Sequence, residues 1–287
     1  VVYVEIKNMA QKYAAWRRKQ LEKQKQVGKN PDNSPSSIKI PTWKEWKRKA
    51  GKAAKELTED IRKGNPINFK VVVWKTLKHF LVYLFHGKCA YCEGRYRAGS
   101  PLDVEHYRPK AEVTLNRQRS SIVKIVNHND DEVTHPGYYW LAYDPQNLLL
   151  ACEICNREEK KNQFPIRGPR ACCPDDSLDD ELPLLLNPYR VKKLAGHFQV
   201  FDEKSGFLEG ISEEGKRTIE VCGLHREDLV IARQEEWEKV KIELFRKFLN
   251  SRENTQLVPD QMQYSLYLKL ALKTVVNKMA AGLDSQF

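Results

Sequence analysis

The stretch GYYWLAYDPQNLLLACEICN, residues 137–156, decides how this chain is read. An aromatic and apolar run leads into a Cys-x-x-Cys pair, Cys152 and Cys155, and Asn156 follows at once. A second pair, Cys89 and Cys92, lies upstream, with 59 residues between Cys92 and Cys152. In an intracellular setting two such pairs mean metal before they mean disulfides. Four thiolates satisfy one tetrahedral zinc, and such a site adds folding energy because the unfolded chain has no preformed site. Two unrelated pairs or a redox pair is the competing reading. Zinc alone says only that a small scaffold is present.

The residues that suggest catalysis lie between and just after these pairs. LDVEHYRPK (102–110) is strand-like and carries Glu105 and His106, with Pro109 three positions on. Asn147 precedes the second pair, and KKNQFPI (160–166) follows it. Their order resembles the HNH nuclease family: a strand ending in acid-His-x-x-Pro, a hairpin partner carrying Asn, then a helix opening with C-x-x-C and His or Asn. The nearest subgroup is the HNH subunit of Septu-type and retron-associated anti-phage defence systems. The resemblance covers roughly residues 85–235. It implies that Glu105 and Asn156 hold a catalytic ion, that Asn147 ties the hairpin and so orients the base, and that an ATPase partner exists. Glu before the base and Asn after the second pair depart from the commoner pattern. Both are hard oxygen donors that favour Mg²⁺, with Mn²⁺ as the alternative.

Chemistry asks for similar residues independently. Phosphodiester hydrolysis needs a base for water and a divalent ion for the charge growing on the leaving oxygen, and histidine has the pKa nearest neutrality. His106 is the expected general base. Strand residues alternate faces, so Glu105 and His106 can act from different directions. Lys160 lies four residues after Asn156 on an expected helix, hence on the same face, where it can meet a phosphate. Arg108 and Lys110 are further substrate-binding candidates, and Asn162 is a reserve metal ligand. The other six histidines (79, 86, 128, 135, 197 and 225) read as ordinary polar residues. Cys172, Cys173 and Cys222 read as packing or loop residues.

Charge is unevenly spread over the 287 residues. The net +11 is nearly all N-terminal: residues 1–64 hold seventeen Lys and Arg against seven Asp and Glu. This basic segment, with Trp16, Trp43 and Trp46, suits a polyanion such as DNA or, equally, an acidic partner protein. Hydrophobic residues make up 41% and mean hydropathy is −0.64. No apolar run reaches membrane-spanning length, and no signal-peptide pattern opens the sequence, so a cytoplasmic location is expected.

Helices are expected within 3–27, then a breaker-rich loop over 28–37. Further helices are expected over about 43–62, 69–85, 213–221, 226–250 and 259–281. A polar insertion loop is expected over about 117–134, irregular chain over 165–188 and a hairpin over 197–211. The fold expected is α+β: a mainly helical chain around a central ββα-metal, treble-clef-like module. Its parts are a basic helical region (1–64), a lead-in helix (65–87), the nuclease module with its zinc knob (88–168), a loop and hairpin (169–211) and a helical end (212–287). The expected function is hydrolysis of DNA. RNA cleavage and a catalytically silent zinc module that binds nucleic acid or a partner are the alternatives.

Overall fold

The computed structural model describes residues 3–5, 7–27, 40–95, 102–118, 121–126, 130–250 and 258–281. The expected loop over 28–37 and the centre of the polar stretch, including His128, lie outside the described residues. The chain is α+β: seven α-helices and four two-stranded antiparallel ladders among the described residues.

Helices α1 (Met9–Val27) and α2 (Trp43–Arg62) open the fold. Thr42 caps α2 by accepting from Glu45 N at 3.2 Å, while the Glu45 carboxylate accepts from Thr42 N at 2.7 Å. This reciprocal pairing satisfies two of the free donors at the helix start. Trp46, Ala50, Ala53 and Leu57 form the buried stripe of α2. Trp46 is a core residue and Trp43 is partly buried against it. Trp46 stacks on Trp43 at 5.4 Å, and Tyr13, Trp16 and Phe80 close the cluster. Trp16 and Trp46 are buried and offer no face to the bases of a nucleic acid, so only the charge of this segment is left to meet a polyanion.

The single helix expected over 69–85 is two, α3 (Val71–Lys75) and α4 (Lys78–Leu84). The Trp46 indole donates to Val73 O at 2.9 Å and Thr76 Oγ1 donates to the same carbonyl at 2.7 Å. Leu77 N bonds instead to Trp74 O, one residue short of α-register. The side chains thus take the carbonyl that would have carried the helix through.

Strand β1 (Asp103–His106) then meets a partner more than forty residues ahead. The expected insertion loop holds structure of its own, the hairpin of β2 (Lys124–Val126) and β3 (Glu132–Thr134). Its β-branched Ile125 and Val133 face one another and are half buried, a pairing favoured on a pleated surface. Strand β4 (Leu148–Ala151) pairs with β1 in the register Asp103↔Ala151 to His106↔Leu148. A π-wound helix, Ile154–Lys160, follows directly. The rest of the middle is irregular apart from the two-residue ladder of β5 (Ile166–Arg167) and β6 (Leu182–Pro183). β7 (Phe198–Gln199) and β8 (Glu209–Gly210) form the expected late hairpin.

Helices α5 (Glu213–Val221), α6 (Glu227–Asn250) and α7 (Ser265–Ala280) complete the chain. α7 starts at Ser265 rather than near 259, because Tyr264 is left-handed and the Lys88 ammonium draws the carbonyls of Asp260 and Met262 into a turn. Among the described residues no helix is long and apolar enough to cross a membrane.

Candidate active site and metal centre

Residues 88–95 fold back on themselves. Cys89 N donates to Gly94 O at 3.0 Å and Glu93 N to Cys89 O at 3.1 Å, with Glu93 at φ 65°. Ala90 N donates to Leu150 O at 2.7 Å and docks this knuckle on β4. The same strand delivers Cys152, and the turn into the π-helix presents Cys155, whose amide donates to Cys152 Sγ at 3.4 Å. All four thiols, of Cys89, Cys92, Cys152 and Cys155, are buried, and their sulfurs lie within 4.8 Å of one another. Tetrahedral zinc with bonds of about 2.3 Å needs sulfur pairs about 3.8 Å apart, and Cys92 and Cys152 stand at 3.9 Å. The cluster can hold such an ion. Hydrogen bonds from its neighbours, Cys152 foremost, hold the Cys92 thiol well below its ordinary value, and Cys155 does the same for Cys152. Burial pushes Cys89 up, and the Cys152 thiol pushes Cys155 up. Arg226 Nη1 donates to Cys155 Sγ at 3.5 Å and sets a cation beside the cluster.

The pairing of β1 with β4 ties Glu105 and His106 to this centre. His106 is 4% exposed and its ring meets Trp74 edge-on at 5.0 Å. Its Nε2 lies 3.0 Å from Ala142 O. A carbonyl only accepts, so Nε2 carries the hydrogen and Nδ1 keeps its lone pair. Burial, with help from the Lys110 and Lys160 charges, pushes the His106 pKa down to about 3 against the pull of the Ala142 carbonyl. Glu105 is buried with the Lys160 ammonium 2.6 Å from its Oε1. The two form a buried, charge-assisted pair.

Asn147 joins the two sides of the site. Its Oδ1 accepts from Arg108 N at 2.7 Å, and its Nδ2 donates to Arg108 O at 3.1 Å and Leu141 O at 3.2 Å. Both the chain leaving His106 and the segment that offers Ala142 are thereby fixed. Lys110 lies over the Trp74 ring at 5.5 Å, and burial lowers its pKa.

Other expected site residues stand differently. Arg108 is buried, with Nε 2.9 Å from Glu181 Oε2 and its guanidinium against Phe164 and Tyr138, so it is committed to the core and does not reach out to a phosphate. Lys160 is fully buried and donates to His106 O at 3.1 Å. The equal-face argument for Lys160 and Asn156 fails because the helix is π-wound: Lys161 N bonds to Asn156 O, five residues back. Asn156 instead lines a cleft with Trp74 and Val104. Asn162 Nδ2 donates to Glu112 Oε1 at 2.9 Å. Trp74, Ala142 and Glu181 were not singled out from the sequence. Trp74 sits in an apolar run, and a backbone carbonyl has no sequence signature.

Fold and site together define a class: an α+β protein in which a buried four-thiol centre supports a strand pair carrying a Glu-His dyad. No protein-family model matches the chain. It is 35% identical over 198 residues to the Septu protein PtuB of Bacillus mycoides (strain KBAB4), covering 66% of this chain and 61% of that protein. It is also 35% identical over 157 residues to the Septu protein PtuA of the same organism, covering 54% of this chain and 20% of that protein. The chain is similar to these Septu proteins over part of their length, spanning about three fifths of the first and a fifth of the second.

Proposed function

We propose that this chain is a metal-dependent nuclease of the HNH type that hydrolyses phosphodiester bonds in DNA. It would serve as the effector of an anti-phage defence system in the cytoplasm, working with an ATPase partner. The observation that carries the reading is His106: a buried, neutral imidazole with Nε2 tied to a carbonyl and Nδ1 left to accept, next in sequence to a buried carboxylate that is ion-paired with Lys160. On this reading β1, β4 and the π-helix are the ββα unit, and the four-thiol centre is its structural zinc knob. Glu105 and Asn156 are the oxygen donors for Mg²⁺, or Mn²⁺ in its place. The ion, when bound, supplies positive charge to the phosphate and its leaving oxygen. The chain does the rest. His106 takes a proton from water at Nδ1, and Asn147 holds the backbone on both sides of it. Lys160 keeps the Glu105 carboxylate in place, and Lys110 adds positive charge near the reacting phosphate. Kinship with PtuB and PtuA and the family pattern of the motif support the defence role and the partner.

The test incubates wild-type and His106→Ala protein with supercoiled plasmid and with total RNA, each in Mg²⁺ or EDTA. Nicking or linearisation of plasmid in Mg²⁺, reduced about 100- to 10,000-fold in a folded His106→Ala protein, is expected for loss of a general base. Cleavage of RNA alone would move the substrate to RNA. No cleavage of either would leave a zinc module that binds without cutting.

A further inference from the structure

The cleft that receives Asn156 has a volume of about 510 Å³, and one of its walls comes from outside the motif. That wall is the junction of α3 and α4, which contributes Lys75, Lys78 and His79. Lys75 and His79 are exposed and Lys78 is partly so. Among the described residues neither lysine has a hydrogen bond or ion-pair partner. Across the cleft, Arg157 is neutralised by Asp103 at 2.8 Å and leans on Glu153 at 3.4 Å. The two lysines are therefore the uncompensated charge of the cleft, a net of about +2 by formal charges. Trp74 also lines the cleft, and its ring meets His106 edge-on at 5.0 Å. The indole thus touches both the cleft and the proposed base.

We infer that this cleft is the track for the DNA strand to be cut, with Lys75 and Lys78 as its phosphate anchors. The inference rests on the nuclease reading and adds to it where the substrate backbone lies. Trp74 is 6% exposed and offers no free face for a base to stack on. Contacts to phosphates carry no sequence information, so a track anchored on them holds DNA without regard to sequence. The break between α3 and α4 contributes to it. The Val73 carbonyl, held by Trp46 and Thr76, ends α3 after Lys75 and restarts the helix at Lys78, which sets both lysines at the junction.

The test uses the full chain, with fluorescein-labelled duplex and single-stranded DNA of about 20 nucleotides in EDTA, titrated by fluorescence anisotropy over a series of salt concentrations. Lys75→Gln/Lys78→Gln is compared with wild type and with Lys192→Gln/Lys193→Gln, which removes the same charge from an exposed loop elsewhere. Zinc content and circular dichroism check the fold. The expected result is weaker binding by the cleft variant and a log–log salt slope on duplex shallower by about 1.8, for two phosphates lost at about 0.9 each. The loop variant should keep the wild-type slope. Equal slopes for cleft variant and wild type, an equal loss in the loop variant, or no DNA binding by the wild type would each overturn the inference. Plasmid cleavage in Mg²⁺ is scored separately. A wild type that cuts, beside a cleft variant with unchanged binding, sinks the track and spares the nuclease. A cleft variant with the expected slope, beside a wild type that never cuts, sinks the nuclease reading and leaves the cleft a DNA-binding track only.

Discussion

A group that takes a proton from water must be neutral and must keep one nitrogen bare, and the surroundings of His106 supply both conditions. The burial that keeps the ring neutral also takes its pKa far below the near-neutral value expected of it from the sequence. Burial disfavours the imidazolium, and the Ala142 carbonyl claims the hydrogen on Nε2. Ala142 lies thirty-six residues beyond His106, so its carbonyl has to be brought there, and Asn147 does this through its bonds to Leu141 O and to both backbone groups of Arg108. Asn147→Ala removes three hydrogen bonds and leaves buried backbone groups unmatched, which costs about 1–3 kcal/mol per unsatisfied group. The variant should unfold at lower urea with an unchanged slope, and in cleavage assays it should lose turnover more than substrate affinity. Asn147→Asp is the sharper comparison. It keeps the acceptor for Arg108 N and loses both donors, so a protein as stable as wild type would show that the donors to Arg108 O and Leu141 O hold nothing in place.

At the scale of elements, the four-thiol knuckle anchors the far end of the chain as well as β4. Lys88 donates to Asp260 O, Met262 O at 3.1 Å and Ser265 Oγ at 3.0 Å, while Glu93 accepts from Leu266 N at 2.7 Å and stands 3.8 Å from the Lys88 ammonium. A buried pair flanking two of the four clustered thiols thus fixes the first turn of α7. Lys88→Met strands the Glu93 charge, and breaking such a pair costs about 3–5 kcal/mol. Hydrogen exchange should report it as early loss of protection in α7, with β4 less affected, and stripping the metal with a chelator should release the same helix. Uniform loss of protection across the chain would deny this coupling. None of it was legible in the sequence, because Lys88 and Glu93 are ordinary charged residues until a segment 172 residues away closes over them. The reverse holds for α2: its stripe of Trp46, Ala50, Ala53 and Leu57 and its Thr42–Glu45 cap are local patterns, and its expected bounds of 43–62 are those observed. The thiol cluster was legible too, since Cys-x-x-Cys carries its geometry in its spacing. The α3–α4 break, the π-winding and the core fates of Arg108 and Lys160 were not, because each depends on which distant group takes a given carbonyl or carboxylate.

His135 gives the fold a pH dependence at the same scale. It is fully buried, with Nδ1 accepting from Gly137 N at 2.9 Å and Nε2 donating to Ala171 O at 3.0 Å, so the folded state needs the neutral ring. Burial pushes its pKa below 6.5 and Arg170 pushes the same way, against the Ala171 carbonyl, Glu181 and Asp176. The unfolded chain therefore takes up this proton first as pH falls. The stability contributed is complete above about pH 6.5 and declines as pH drops from there towards the lowered folded value. His135→Gln keeps an acceptor and a donor but does not titrate. Between pH 7.5 and 5.5 the wild type should lose more of its urea midpoint than the variant, and equal losses would place the acid sensitivity elsewhere.

For the molecule as a whole, the question is what the N-terminal charge does, given that Trp16 and Trp46 are core residues. Removing residues 1–64 does not test this, since Tyr13 and Trp46 pack on Phe80 and on the Val73–Thr76 turn and their loss would uncover the base of α3 and α4. The charge itself is separable. Lys44, Lys47, Arg48 and Lys49 are exposed on α2 and have no ion-pair partner among the described residues, whereas Lys52 and Lys55 are matched by Glu56 and Glu59. Arg48 and Lys49 border Val72 and Thr76, so this face runs on towards the α3–α4 junction that bears Lys75 and Lys78. If DNA lies across both, replacing the four by Gln should make the salt slope on duplex shallower by up to about 3.6, at about 0.9 per phosphate. Affinity at low salt should fall, and the cleavage rate at saturating DNA should stay near wild type, because none of the four touches the proposed reacting atoms. A long duplex should feel the change more than one of about 20 base pairs. If the four-residue variant keeps the wild-type slope while Lys75→Gln/Lys78→Gln does not, the α2 face is free for a different polyanion. Its charge would then suit the acidic surface of a partner protein, which can be read as a salt-sensitive complex that forms with wild type and not with the variant.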